Sequence, residues 1–109
     1  MSVDQAIALH HPEREEMQLP AVLHALSDPQ RLHIVRELAM DTEPRPCGSI
    51  ELDVTKSTMT HHFRVLREAG VIRQKREGTT KLTSLRREDL DARFPGLLDS
   101  VLSPAPAAL

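Results

Sequence analysis

An amphipathic helix that stops at a glycine and runs directly into a basic hairpin is the strongest constraint in this sequence. The stretch is Leu52 to Leu85, LDVTKSTMTHHFRVLREAGVIRQKREGTTKLTSL. The pattern predicts a helix over Lys56–Ala69, with Thr55 as N-cap and Gly70 just past the last turn. At about 100° per residue, Met59, His62, Phe63, Leu66 and Ala69 fall on one face. Ser57, Thr60, His61, Arg64 and Glu68 fall on the other. Val71, Ile72, Leu82 and Leu85 are strand-like, and Glu77-Gly78 is a hairpin turn signal.

The outer face carries hydroxyls, a histidine and an arginine, and Glu68 is its only acid. A solvated helix of ordinary composition would mix Glu and Lys there. Short donors near the start of a helix, followed by Arg, suit entry into a DNA major groove. His61 and Arg64 are therefore read as groove contacts, with Ser57, Thr58 and Thr60 reaching bases or phosphates and Lys56 meeting phosphate. Lys75, Arg76, Thr79, Thr80 and Lys81 of the hairpin are candidates for the backbone or an adjacent minor groove. Blander readings pair Arg64 with Glu68, pair Arg76 with Glu77, and make His62 a core histidine bonded to backbone.

Charge supports the sharper reading through its distribution. The net formal charge is −2. Residues 1–53 hold four Lys/Arg against ten Asp/Glu, whereas residues 54–85 hold seven against two. The basic footprint coincides with the helix and hairpin that would touch phosphate. With no Trp or Tyr and only Phe63 and Phe94, the chain lacks the stacking platforms of single-strand binders. No nucleophile–base set, phosphate-cradling glycine loop or spaced metal motif points to an enzyme.

Around this centre the sequence predicts one small domain over residues 13–102, a loose arm over 1–12 and a frayed tail over 103–109. Glu13–Leu26 reads as helical, starting at or kinked by Pro20. Ser27-Asp28-Pro29 caps a second helix to about Met40 that buries Leu32, Val35, Leu38 and Ala39. Asp41–Gly48 reads as a loop and Ser49–Asp53 as a short positioning helix. Arg86–Leu90 and Pro95–Leu102 read as two short helices, and Asp89 and Asp91 as isolated acids. The terminal helices carry more apolar surface than a small core needs. Leu19, Val22, Leu23, Leu97, Leu98, Val101 and Leu102 are therefore expected at a homodimer interface. No apolar run is long enough to span a membrane, and one cysteine forms no internal disulfide, so a cytoplasmic protein is expected.

The pattern KSTMTHHFRVLREAGVI…REG, preceded by ALSDPQRLHIVRELA, resembles the ArsR/SmtB family of bacterial winged-helix regulators, over roughly Leu19–Leu102. The resemblance implies a mainly α fold with a small β-hairpin, a winged helix-turn-helix dimerising through terminal helices. It implies a repressor acting on pseudo-palindromic double-stranded operator DNA. Many members carry Cys-x-Cys before the recognition helix; this chain has Cys47-Gly48-Ser49-Ile50, and no His follows His62. No cofactor is required by this reading, although His10, His11, His33 and Cys47 are donors that could serve nickel, zinc or cobalt across a dimer. The alternative function is a metal-responsive module, or one that depends on a sensor partner protein and binds DNA weakly alone.

Overall fold

A computed structural model describes residues 9–103. Its elements are α1 (Leu19–Leu26), α2 (Pro29–Ala39), β1 (Arg45–Pro46), α3 (Lys56–Ala69), β2 (Ile72–Glu77), β3 (Thr80–Leu85), α4 (Arg87–Arg93) and α5 (Leu97–Leu102). The helices surround one core, and the β2–β3 hairpin projects as the wing of a winged helix-turn-helix.

Local chemistry accounts for the main boundaries. Asp28 Oδ2 accepts from the Gln30 and Arg31 amides and opens α2, with Pro29 in its first turn. Thr55 Oγ1 accepts from the Thr58 amide at 3.2 Å and opens α3. Gly70 closes α3 at φ +92°, while the Val71 amide returns to the Leu66 carbonyl at 2.9 Å. The hairpin pairs Ile72 with Leu85 through to Glu77 with Thr80, so it turns at Gly78-Thr79, with Gly78 at φ +64°.

The structure refines or corrects several sequence expectations. Of the two readings of Glu13–Leu26, a start at Pro20 holds and a kinked helix does not: a 3-10 turn over Arg14–Glu16 is followed by extended backbone, and α1 starts at Leu19 with Pro20 in its first turn. Proline has no amide hydrogen to give an earlier turn, so the helix can begin there but not pass through. The positioning helix is also absent. Cys47–Ser49 forms a single 3-10 turn, and the chain runs irregularly to Thr55. Five residues containing β-branched Ile50 are too few to repay helix nucleation. Ile50 is nevertheless 1% exposed, and burying such a side chain contributes about 1.5–3 kcal/mol without any helix. The loop before it contributes β1, which pairs Arg45 with Thr83 and Pro46 with Leu82 and makes the sheet three-stranded. Arg45 reaches Glu37 at 3.1 Å and Asp41 at 3.3 Å, tying β1 to the end of α2. Finally, α2 buries Arg31 and Ile34 alongside Val35 and Leu38, whereas Leu32 and Ala39 are only half-buried.

The end of the expected arm is part of the fold. Pro12 is buried, its carbonyl accepts from Arg86 Nη1 at 2.8 Å, and His11 Nε2 accepts the Gln74 amide at 2.9 Å. The rest of that arm, residues 1–8, and the tail from 104 lie outside the described residues. Asp89 is not an isolated acid. Arg14 Nε lies 2.8 Å away, Arg86 Nε 2.9 Å and Arg73 Nη2 3.6 Å, so one carboxylate joins the N-terminal turn, the wing and α4. Burial pushes its pKa up, but the hydrogen bonds and charges of Arg14 and Arg86 outweigh that and hold it below the usual 3.8.

Gly70 also sits where a Cβ would come within 2.7 Å of Met17 Cγ and 3.2 Å of Pro12 Cγ. Gly70→Ala is expected to destabilise the protein by about 1–3 kcal/mol, read as a lower urea midpoint with an unchanged slope. An unaltered midpoint would mean that the α3 stop does not need a left-handed residue.

Candidate nucleic-acid interface

The recognition helix α3 is oriented from its buried side. Phe63, Leu66 and Ala69 enter the core, Met59 is half-buried against it, and His62 is 7% exposed. His62 Nδ1 lies 3.2 Å from Arg31 Nη1. A guanidinium can only donate, so Nδ1 accepts and Nε2 carries the hydrogen, 3.9 Å from Asp28 Oδ2. The expected backbone partner of His62 is thus replaced by a side chain from α2. Arg31 also donates Nε to the Ala25 carbonyl at 2.8 Å and Nη2 to the His24 carbonyl at 3.1 Å. One buried cation therefore joins the end of α1, the start of α2 and the middle of α3. Burial lowers the His62 pKa below 6.5; Asp28 opposes this, and the charges of Arg31 and His61 reinforce it.

On the solvent side, Lys56, Ser57, Thr60, His61, Arg64 and Glu68 are all exposed. Among the described residues Arg64 makes no ion pair, so the Arg64–Glu68 alternative is not observed, and Arg76 makes none with Glu77. Thr60 Oγ1 donates to the Lys56 carbonyl at 3.0 Å, which leaves its oxygen as an acceptor. Thr58 is half-buried, and its hydroxyl accepts from Thr55 Oγ1 at 2.9 Å within the helix cap.

The wing residues divide by strand alternation. Directly paired residues share a sheet face, so Arg76 and Lys81 lie on the same side as Gln74 and Thr83. Lys75 lies on the other side with Leu82 and Arg73, the last of which is engaged by Asp89. Lys75, Arg76, Thr79 and Thr80 are exposed around the wing tip, and Lys81 is half-buried. Lys81 shares one cleft with Lys56, Ser57, Thr60, His61 and Arg64, so helix and wing present these expected contacts together.

Arg67, Gln74 and Cys47 line the same cleft; sequence reasoning did not place them there, and took Cys47 only as a metal donor. For Arg67 a signal existed: Thr60, Arg64 and Arg67 follow i, i+4, i+7 spacing, one stripe along α3. Gln74 and Cys47 arrive through strand pairing and a turn, which leave no local pattern.

The expected dimer residues separate into two groups. Leu19 is 42% exposed and Leu23 47%, while Leu97, Val101 and Leu102 are half-buried. Val22 and Leu98 are 0% exposed. They are spent on the chain's own core and have no surface to offer a partner.

Among the described residues the candidate donors do not gather into one metal centre. Among the described residues no three His, Cys, Asp or Glu side chains converge on one point. His11 Nε2 is committed to the Gln74 amide and His62 Nδ1 to Arg31, and His33 is exposed on α2.

Comparison with known proteins agrees with this geometry. A family profile described as a helix-turn-helix domain matches residues 26–75. An uncharacterized HTH-type transcriptional regulator of Bacillus subtilis is 34% identical over 82 residues, covering 73% of this chain and 82% of that protein. The arsenical resistance operon repressor of Bacillus subtilis is 32% identical over 79 residues, covering 72% and 71% respectively. The solution structure of a homodimeric winged helix-turn-helix DNA-binding domain from Mycobacterium bovis, described as a possible ArsR-family regulator, superimposes with a TM-score of 0.61. It is 25% identical, over 93% of this chain and 86% of that one.

Burial lowers the pKa of two histidines, His62 and His11. His11 has its pKa lowered below 6.5 by burial, against the Leu9 carbonyl, with Arg73, Arg67 and Arg86 adding to the lowering. The unfolded chain therefore binds more protons than the fold as pH drops below about 6.5, so stability is complete above that pH and falls beneath it. His62→Gln keeps an acceptor for Arg31 but no titration. The fall in urea midpoint between about pH 7 and about pH 5 is expected to be smaller in this variant. An identical pH profile would exclude His62 as a source.

Proposed function

We propose that this chain, which belongs to the ArsR family of winged helix-turn-helix transcriptional regulators, represses transcription by binding a pseudo-palindromic operator as a homodimer. Family membership makes it a DNA-binding transcriptional regulator and not an enzyme. The observation that carries the finer reading is the unspent outer face of α3. Ser57, Thr60, His61 and Arg64 stand exposed there, beside Lys56 and the wing cations Lys75, Arg76 and Lys81.

In this reading the first turns of α3 enter the major groove, and Arg64 and His61 meet base edges. Lys56 grips phosphate, while Lys75, Arg76, Thr79, Thr80 and Lys81 follow the flanking backbone or minor groove. The exposed Leu19 and Leu23, with the uncovered parts of Leu97, Val101 and Leu102, pack against a second copy. Two α3 helices then read half-sites about one helical turn apart. The repressor role is supported by the arsenical resistance operon repressor among the relatives, and the homodimer by the neighbouring Mycobacterium bovis domain.

The test is an anisotropy titration on labelled duplex from the gene's own upstream region, with random duplex as control, at two salt concentrations. Preferential binding that weakens steeply with salt is expected. Arg64→Ala is expected to cost about 1–3 kcal/mol on the specific duplex and much less on random DNA. Equal losses on both would make Arg64 a phosphate contact. No preference for the upstream duplex at either salt would remove the proposal.

A second expectation concerns assembly. Leu23→Glu places a charge at the proposed interface without entering the core, so the sedimentation coefficient should drop to that of a monomer, with specific affinity falling alongside. A dimer that survives this change would locate the interface elsewhere.

A further inference from the structure

The cleft between α3 and the wing has a composition that DNA contact alone does not explain. Its volume is about 360 Å³. Leu9, Met59 and Phe63 give it apolar walls, while Lys56, Arg64, Arg67 and Lys81 bring four cationic side chains to it. Among the described residues no Asp or Glu lines it. Arg67 donates Nη1 to Gln74 Oε1 at 2.8 Å, which holds its guanidinium at the cleft wall. Concave apolar walls with a few convergent polar groups are the usual make-up of a small-molecule site. A DNA phosphate would meet the charges and leave the concave walls uncovered.

We propose that this cleft binds a small organic anion with an apolar body, of the class of medium-chain carboxylates, and that its occupant competes with DNA for α3. The carboxylate accepts from Arg67 and from the neighbouring Lys81 or Lys56, and the chain lies along Met59, Phe63 and Leu9. Occupation neutralises cations of the reading surface and fills the space beside Thr60, His61 and Arg64. Binding itself is independent of the DNA reading above; only the competition rests on it.

The probe is octanoate, kept below its micelle-forming concentration and titrated into the full-length ¹⁵N-labelled chain without DNA. Acetate, 1-octanol and inorganic phosphate are run in parallel. Saturable amide shifts centred on Met59, Phe63, Arg67 and Gln74 are expected, with 1-octanol, acetate and phosphate each about tenfold weaker or more. Arg67→Gln should weaken octanoate by a similar factor. Because Arg67 also holds Gln74, Lys81→Gln is the second variant, expected to weaken octanoate severalfold while the spectrum stays folded. Equal binding of 1-octanol would overturn the anion assignment, and equal binding of acetate or phosphate would reduce the cleft to a phosphate-gripping surface. Absence of saturable shifts would overturn the site altogether. In a separate anisotropy titration octanoate should release bound duplex. Saturable octanoate binding without release would overturn the competition. A protein that binds no duplex at all would overturn the DNA reading and the competition with it, while the amide shifts would still decide the site.

Discussion

The orientation of the reading helix depends on the buried guanidinium of Arg31. A charge at 7% exposure is tolerable only when its donors are occupied, and here they are occupied by two carbonyls at the end of α1 and by a ring nitrogen of α3. Apolar packing of Phe63 and Leu66 holds α3 against the core but leaves it freedom to roll or slide. The directional bond to His62 removes that freedom. It also explains why the outer face of α3 can be so poor in internal contacts: the helix is fixed from behind, and Ser57, His61 and Arg64 remain available.

The basic residues divide their labour by chemistry. Arg31, Arg45, Arg67, Arg73, Arg86 and Arg93 reach carbonyls, carboxylates or an amide within the fold, using the planar fork that suits several fixed acceptors. Lysine, a compact charge on a flexible stem, is used only at Lys56, Lys75 and Lys81. Of the seven basic residues in 54–85, Arg67 already has one hydrogen bond within the fold and Arg73 lies 3.6 Å from the Asp89 carboxylate. The cations free of such contacts, and so available to the proposed DNA surface, are Lys56, Arg64, Lys75, Arg76 and Lys81, fewer than the raw count implies.

What the sequence revealed and what it concealed follow the range of the interactions. The helix Lys56–Ala69, its Thr55 cap, the Gly70 stop and the hairpin are set by contacts a few residues apart, and all four were legible. Arg31 with His62, Asp89 with Arg14, and Gln74 with His11 join residues distant in sequence, and no periodicity announces them. The same limit misplaced Val22 and Leu98. An apolar stripe shows that a side chain must be buried, but not whether its own chain or a second copy buries it. The cleft was half legible: Lys56, Thr60 and Arg64 lie on one helix stripe, whereas Lys81 and Gln74 join them only through the hairpin register.

The order β1–β3–β2 leaves two strand edges, and each is defended. On one side β1 is only two residues long and ends in Pro46, which has no amide hydrogen to offer an incoming strand. On the other, the Gln74 amide of β2 is already taken by the ring of His11. A short sheet with uncapped edges would template its own extension, and at cellular concentrations that leads to insoluble ribbons. Here Pro46 and the His11 ring obstruct one edge each. Strand addition is thereby obstructed at these edges, while the exposed apolar side chains Leu19 and Leu23 lie on a helix rather than on a strand.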